Sequence, residues 1–150
     1  MEELKELYQE VILDHNHSPK NYGKLNNASH YAEGDNPLCG DHINIYLVVE
    51  GDKIQDIRFE GKGCAISKAS ASLMTTEVKG KTIKETKNLF DKFHKLITEN
   101  NDGLPDIDMP GKTVVFAGVR EFPMRVKCAA LAWHTLNEAL TRSNHIVTTE

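Results

Sequence analysis

The chain has 150 residues, 39% of them hydrophobic and 27% charged, with a formal net charge of -4. This is the size and apolar content of one globular domain, expected over residues 1–150, and it leaves no room for two full cores. The negative balance gives no positive field for nucleic acid or an anionic membrane, and neither the charged start MEELKELYQEVILDH nor any later run reads as a signal peptide or a span, so a cytoplasmic protein is expected.

In chain order, Leu4, Leu7, Tyr8, Val11 and Ile12 recur at helical spacing and predict an amphipathic helix over residues 2–15. HNHSPKNYGK breaks it at Pro19 and Gly23, and a short extended piece from Ser29 to Glu33 leads into the turn NPLCGD. From His42 to Glu50, Ile43, Ile45, Leu47 and Val49 alternate with His42, Asn44, Tyr46 and Val48, the period of a half-buried strand. EGDK is a hairpin turn with Gly51 supplying conformational freedom, and a second strand follows over Lys53–Glu60. After GKGC, two helices are predicted from ISKASASLMTTEVKG and KTIKETKNLFDKFHKLITE. Residues 100–111 read as a loop, TVVFAGVREFP as a short connecting segment, and Met124 to about Leu140 as a last helix. Strands followed by helices predict an α+β fold, a three-stranded antiparallel sheet with helices packed on one face.

Cys39, Cys64 and Cys128 are an odd number of thiols spread along the chain, which argues against a disulfide framework. By count alone they are as well explained as small core hydrophobes. Their positions favour chemistry. Cys39 lies in the turn entering a strand, and if Cys39 to Asp41 is extended, thiol and carboxylate point to one side with Gly40 adding no bulk. Cys64 ends the strand-to-helix turn GKGC, at a helix N-terminus that favours a thiolate. Cys128 falls away from the stripe of Val126, Ala129, Ala130, Trp133, Leu136 and Leu140, and Lys127 beside it adds positive charge. Three thiols and a carboxylate suit tetrahedral zinc; the same soft ligands suit iron or an iron-sulfur cluster. No CxxC pair narrows the choice.

The histidines compete poorly. His15 and His17 stand where a helix C-terminus attracts positive charge, His42 points away from Asp41, and His94 and His145 read as surface or loop residues. His134 is about 120° from Cys128 around a helix, so a Cys-His hydrolase dyad there is disfavoured. KGKTIKETK reads as a solvated turn and helix start, and GKG lacks the spacing of a phosphate loop.

Four ordered stretches, ELYQEVILDH with SPKNYG, NPLCGD, FEGKGCAISKASASLMT and GVREFPMRVKCAALAW, resemble the U-type family of iron-sulfur cluster assembly proteins nearly end to end. The resemblance is closer to the SufU-type branch, because Lys127 stands where the scaffold branch has histidine, and because this chain has extra residues between its second and third cysteines. It implies a SufE/IscU-like α+β fold and a metal site of Cys39, Asp41, Cys64 and Cys128. It further implies a zinc-dependent sulfurtransferase that takes persulfide sulfur from a PLP-containing, SufS-type cysteine desulfurase, with a downstream SUF scaffold complex as onward partner. Cys39 is then the acceptor, displaced from zinc by a partner histidine, and Arg125 is placed to hold Asp41 or a partner carboxylate. The alternatives are a scaffold that builds an iron-sulfur cluster and a purely structural zinc domain. Lys20, Leu38 and NNDGLPDIDMPGKTVVF depart from the family pattern at surface positions.

Overall fold

The structure, a computed structural model, describes residues 2–98, 113–120, 122–141 and 145–148. Helix α1 spans Glu2–His17 and is followed by strands β1 (His30–Asn36), β2 (Asp41–Glu50) and β3 (Lys53–Lys62). Helices α2 (Ala65–Val78) and α3 (Ile83–Thr98), a 3-10 helix (Thr113–Val119), α4 (Pro123–Thr141) and a short strand β4 (His145–Thr148) complete the order. The loop expected over residues 100–111 lies outside the described residues.

The three expected antiparallel strands are present as the run β3-β2-β1, with Ala32 opposite Ile45 and Ile45 opposite Phe59. The first is longer than the extended piece read from sequence, because all seven residues of β1 pair with β2. A fourth strand, β4, adds to the free edge of β1 in parallel, a connection made by the α4 crossover and absent from the sequence expectation.

Alternation in β2 sends Ile43, Ile45 and Leu47 into the core, where they meet Ile57 and Phe59 of β3. The other face carries polar ladders, among them Tyr46 Oη donating to Glu60 at 2.6 Å. The helices therefore cover one face, as expected for α+β. Small residues let α2 and α4 come close, and Ser70 Oγ donates to the Ala129 carbonyl at 2.7 Å. Gly34 is needed on β1 because a Cβ there would overlap Thr135 Oγ1 of α4. Beyond α4, Trp133 stacks on Phe93 of α3 with ring centroids 4.9 Å apart. Among the described residues no helix is long and apolar enough to cross a membrane.

This packing fixes the end of the sheet where the β1–β2 turn, the N-terminus of α2 and the first turns of α4 converge.

Candidate metal centre

Asn36 and Asp41 are paired across the β1–β2 hairpin, with Pro37, Leu38, Cys39 and Gly40 forming the turn between them. The turn is closed by Cys39 N–H donating to the Asn36 carbonyl at 3.2 Å, and Gly40 takes φ +71°, a conformation that an L-residue adopts only with strain. Cys39 and Asp41 are therefore not neighbours on an extended strand, as the sequence reading supposed. They converge because the chain reverses at Gly40.

Asp41 is fully buried, with 0% of its surface exposed. Its Oδ1 accepts the Cys64 backbone N–H at 2.8 Å. Gly63, at φ +141°, makes that approach possible, since a Cβ there would overlap Asp41 Oδ1. The second oxygen, Oδ2, has only long contacts, to Cys64 Sγ at 3.7 Å and Asn36 Nδ2 at 3.5 Å. A buried carboxylate with one oxygen so weakly held is poised to take a cation.

Cys64 is the N-cap of α2, where sequence placed it, and its sulfur accepts the Ser67 N–H at 3.4 Å. Cys128 lies on α4 with its Sγ 3.4 Å from Cys39 Sγ. The donor atoms of Cys39, Asp41 and Cys128 all lie within 4.8 Å of one another. Tetrahedral zinc with Zn–S of about 2.3 Å sets an S···S edge of about 3.8 Å, so the observed spacing needs little adjustment. Cys64 Sγ is not part of that group and reaches it through Asp41 Oδ2 at 3.7 Å, so two sulfurs and one oxygen converge and Cys64 would complete a donor set that zinc accepts.

The thiols share protons unequally. The neighbouring Cys128 thiol lowers the Cys64 thiol to about 7, with the Ser67 and Ile66 N–H groups helping and burial opposing. Cys128 is pushed far up, chiefly by the neighbouring Cys64 sulfur and then by burial. Of these two thiols, Cys64 is the one that ionises first.

Several sequence readings change here. Cys128 is 3% exposed, so it does not sit on an open side of α4; Leu131 and Thr135, on its side, are buried too, because the helix is enclosed around most of its circumference. Lys127 is half-buried and forms no hydrogen bond or ion pair among the described residues, and the principal causes of the Cys128 shift are Cys64, burial, Asp41 and Cys39. Arg125 is exposed and stacks on Phe122 at 4.5 Å, and it also opposes the rise that burial imposes on the Tyr8 phenol. Asp41 is held by Cys64 and Asn36 instead. His15 does not merely complement a helix end: it is buried and its Nδ1 meets Ser72 Oγ at 2.7 Å. His42 does point away from the thiols, lying 3.6 Å from Asp35. His145 belongs to β4 and not to a loop. The residue that sequence reasoning missed is Asn36, fully buried, with Nδ2 3.8 Å from Cys128 Sγ. Its signal was its place opposite Asp41 at the mouth of NPLCGD.

The fold and site together define a small α+β domain with a cysteine-aspartate cluster at one end of its sheet that could hold a metal ion. The chain belongs to the family of NifU-like N-terminal domains, whose model matches residues 7–129. The zinc-dependent sulfurtransferase SufU of Bacillus subtilis is 40% identical over 93% of this chain and 92% of that protein. The iron-sulfur cluster assembly scaffold protein IscU of Thermotoga maritima is 41% identical over 93% of this chain and 96% of that protein. Among solved structures, a putative iron-sulfur cluster assembly scaffold protein for the SUF system from Fervidobacterium islandicum superposes with a TM-score of 0.80 at 38% identity, covering 90% of this chain and 97% of that one.

Proposed function

We propose that this protein is a zinc-dependent sulfurtransferase in iron-sulfur cluster assembly, with Cys39, Asp41, Cys64 and Cys128 as zinc ligands and Cys39 as the sulfur acceptor. The observation that carries the reading is the unequal setting of the donors. Asp41 is fixed by a backbone N–H, Cys64 caps a helix and Cys128 is enclosed in one, whereas Cys39 rides a four-residue turn hinged at Gly40. The relatives named for iron-sulfur cluster assembly, and the one named as a sulfurtransferase, support the same direction.

Zinc, when bound, keeps the thiols deprotonated and shields them from oxidation. The chain itself does the rest. Asp41, Cys64 and Cys128 would be the residues that hold the ion once Cys39 is free, and the Cys39 thiolate would then be exposed on the β1–β2 turn. That thiolate attacks the outer sulfur of a persulfide carried by a PLP-dependent cysteine desulfurase of the SufS type. The new S–S bond forms on Cys39, the donor's S–S bond breaks, and the donor cysteine leaves as a thiolate, so there is no net oxidation. Exposed Leu38 beside Cys39 and exposed Phe122 and Met124 ahead of Cys128 supply apolar surface for such a partner. Arg125, exposed beside Phe122, suits a partner carboxylate better than Asp41.

The second reading, a scaffold holding a nascent cluster, is favoured by the relatives that carry that name. Lys127 argues against it, because an ammonium stands beside Cys128 where the scaffold branch offers an imidazole. Metal analysis of the purified protein, with desulfurase turnover measured for wild type and Cys39→Ala, tests the choice. Stoichiometric zinc and a stimulation lost in the variant are expected. Bound iron and sulfide with unchanged turnover would replace the sulfurtransferase by the scaffold.

A further inference from the structure

Asn36 has three connections to the centre. Its carbonyl accepts the Cys39 N–H at 3.2 Å, and its side-chain nitrogen lies 3.5 Å from Asp41 Oδ2 and 3.8 Å from Cys128 Sγ. Both side-chain neighbours are acceptors once ionised, so the amide must turn its two N–H groups toward them. The consequence is visible on its other side, where Asn36 Oδ1 is buried without a hydrogen-bond partner. An apolar residue of the same size would leave no such orphan, so the amide is retained at a cost to stability.

Resting on the zinc reading above, we propose that Asn36 is a positioning residue for the metal, whose two N–H groups hold the Asp41 carboxylate and the Cys128 sulfur as the pair that keeps the ion when Cys39 leaves. Donation from a neutral amide to two anionic donors draws their charge together without adding charge, and such hydrogen bonds shorten when the acceptor is ionised. Cys39 has no amide donor: its sulfur accepts from the Cys128 thiol at 3.4 Å, a bond that no longer exists once both sulfurs are ionised. The asymmetry that makes Cys39 the leaving ligand is therefore built partly by the residue facing Asp41 across the turn.

Asn36→Leu keeps the branched shape and the number of side-chain heavy atoms, removes both donors and removes the orphan acceptor. Cobalt(II) binding and competition with a zinc chelator are measured for wild type, Asn36→Leu and Asn36→Ser, each also in a Cys39→Ala background, beside the melting temperature of the metal-free proteins. The proposal predicts one metal per wild-type chain and a loss in affinity of about tenfold to a hundredfold for leucine. It predicts an intermediate loss for serine, which keeps one donor, and a sulfur-to-cobalt absorption band moved to longer wavelength as the N–H donor to sulfur is lost. The leucine effect persists without Cys39, and the metal-free melting temperature does not fall. If wild type binds one metal and leucine binds it equally tightly, or if the effect vanishes with Cys39→Ala, the positioning role is overturned while the zinc reading stands. A wild type that binds no cobalt or zinc overturns both.

Discussion

The turn that carries Cys39 and the helix that carries Cys128 bring their sulfurs to 3.4 Å, yet they hold them in opposite ways. Cys128 is enclosed by packing that includes β1 and α2, so its sulfur moves only if α4 moves. Cys39 sits on a turn closed by one backbone hydrogen bond, with Gly40 at φ +71° and a Leu38 side chain that is 55% exposed beside it, and among the described residues its sulfur meets only Cys128. A site assembled from four fixed donors would store a metal. One assembled from three fixed donors and one loose one can open without losing the ion.

Four perturbations break or sharpen that contrast. The largest effect is expected for Gly63→Ala, whose Cβ would collide with Asp41 and force apart the α2 N-terminus and the carboxylate. Loss of stoichiometric metal is expected, together with about 1–3 kcal/mol of overpacking strain in the metal-free protein, read by metal analysis and chemical denaturation. Next comes chelation of the wild type. Saturation at about a thousand times Kd stabilises by about 4 kcal/mol, and at roughly 2–4 °C per kcal/mol for a chain of this size removal should lower Tm by about 10 °C. An unchanged melting curve after confirmed removal would deny the ion a part in stability.

A smaller effect separates the two cysteines directly. In the metal-free protein, Cys128→Ala should cost about 1 kcal/mol and Cys39→Ala less than about 0.5 kcal/mol, the usual difference between buried and surface positions. Equal costs would mean that the turn is as fixed as the helix. The smallest effect is a pH dependence of the metal-free state. Cys64 has its folded value lowered from 9.0 to about 7, so the unfolded chain binds more protons between these values, and this thiol's contribution to stability is lost as pH falls through about 7. Cys128 is shifted the other way, and its contribution is lost as pH rises beyond the ordinary thiol range. Stability from the pair should peak near pH 9, and alkylation should label Cys64 with a midpoint near pH 7 while sparing Cys128.

The sequence made the ligand set easier to see than the geometry that unites it. Period-two alternation located β2, and the position of Cys64 after GKGC located an N-cap, because both are local consequences of backbone geometry. The burial of Cys128 escaped because α4 is rich in alanine and enclosed on most sides, so its strongest apolar stripe marks only part of its buried surface. Strand β4 escaped because four residues pair in parallel only after α4 has crossed the sheet. The turn at NPLCGD is legible, but its reversal at Gly40 is not, and with it goes the role of Asn36, which faces Asp41 only when the hairpin is formed.

The most direct test of the central claim is the location of transferred sulfur. Zinc-loaded protein is incubated with cysteine and a PLP-dependent cysteine desulfurase, alkylated, digested and read by mass spectrometry. The account predicts one added sulfur on Cys39, and none on a Cys39→Ala variant that still holds zinc through Asp41, Cys64 and Cys128. Sulfur on Cys64 or Cys128 with Cys39 unmodified would contradict it.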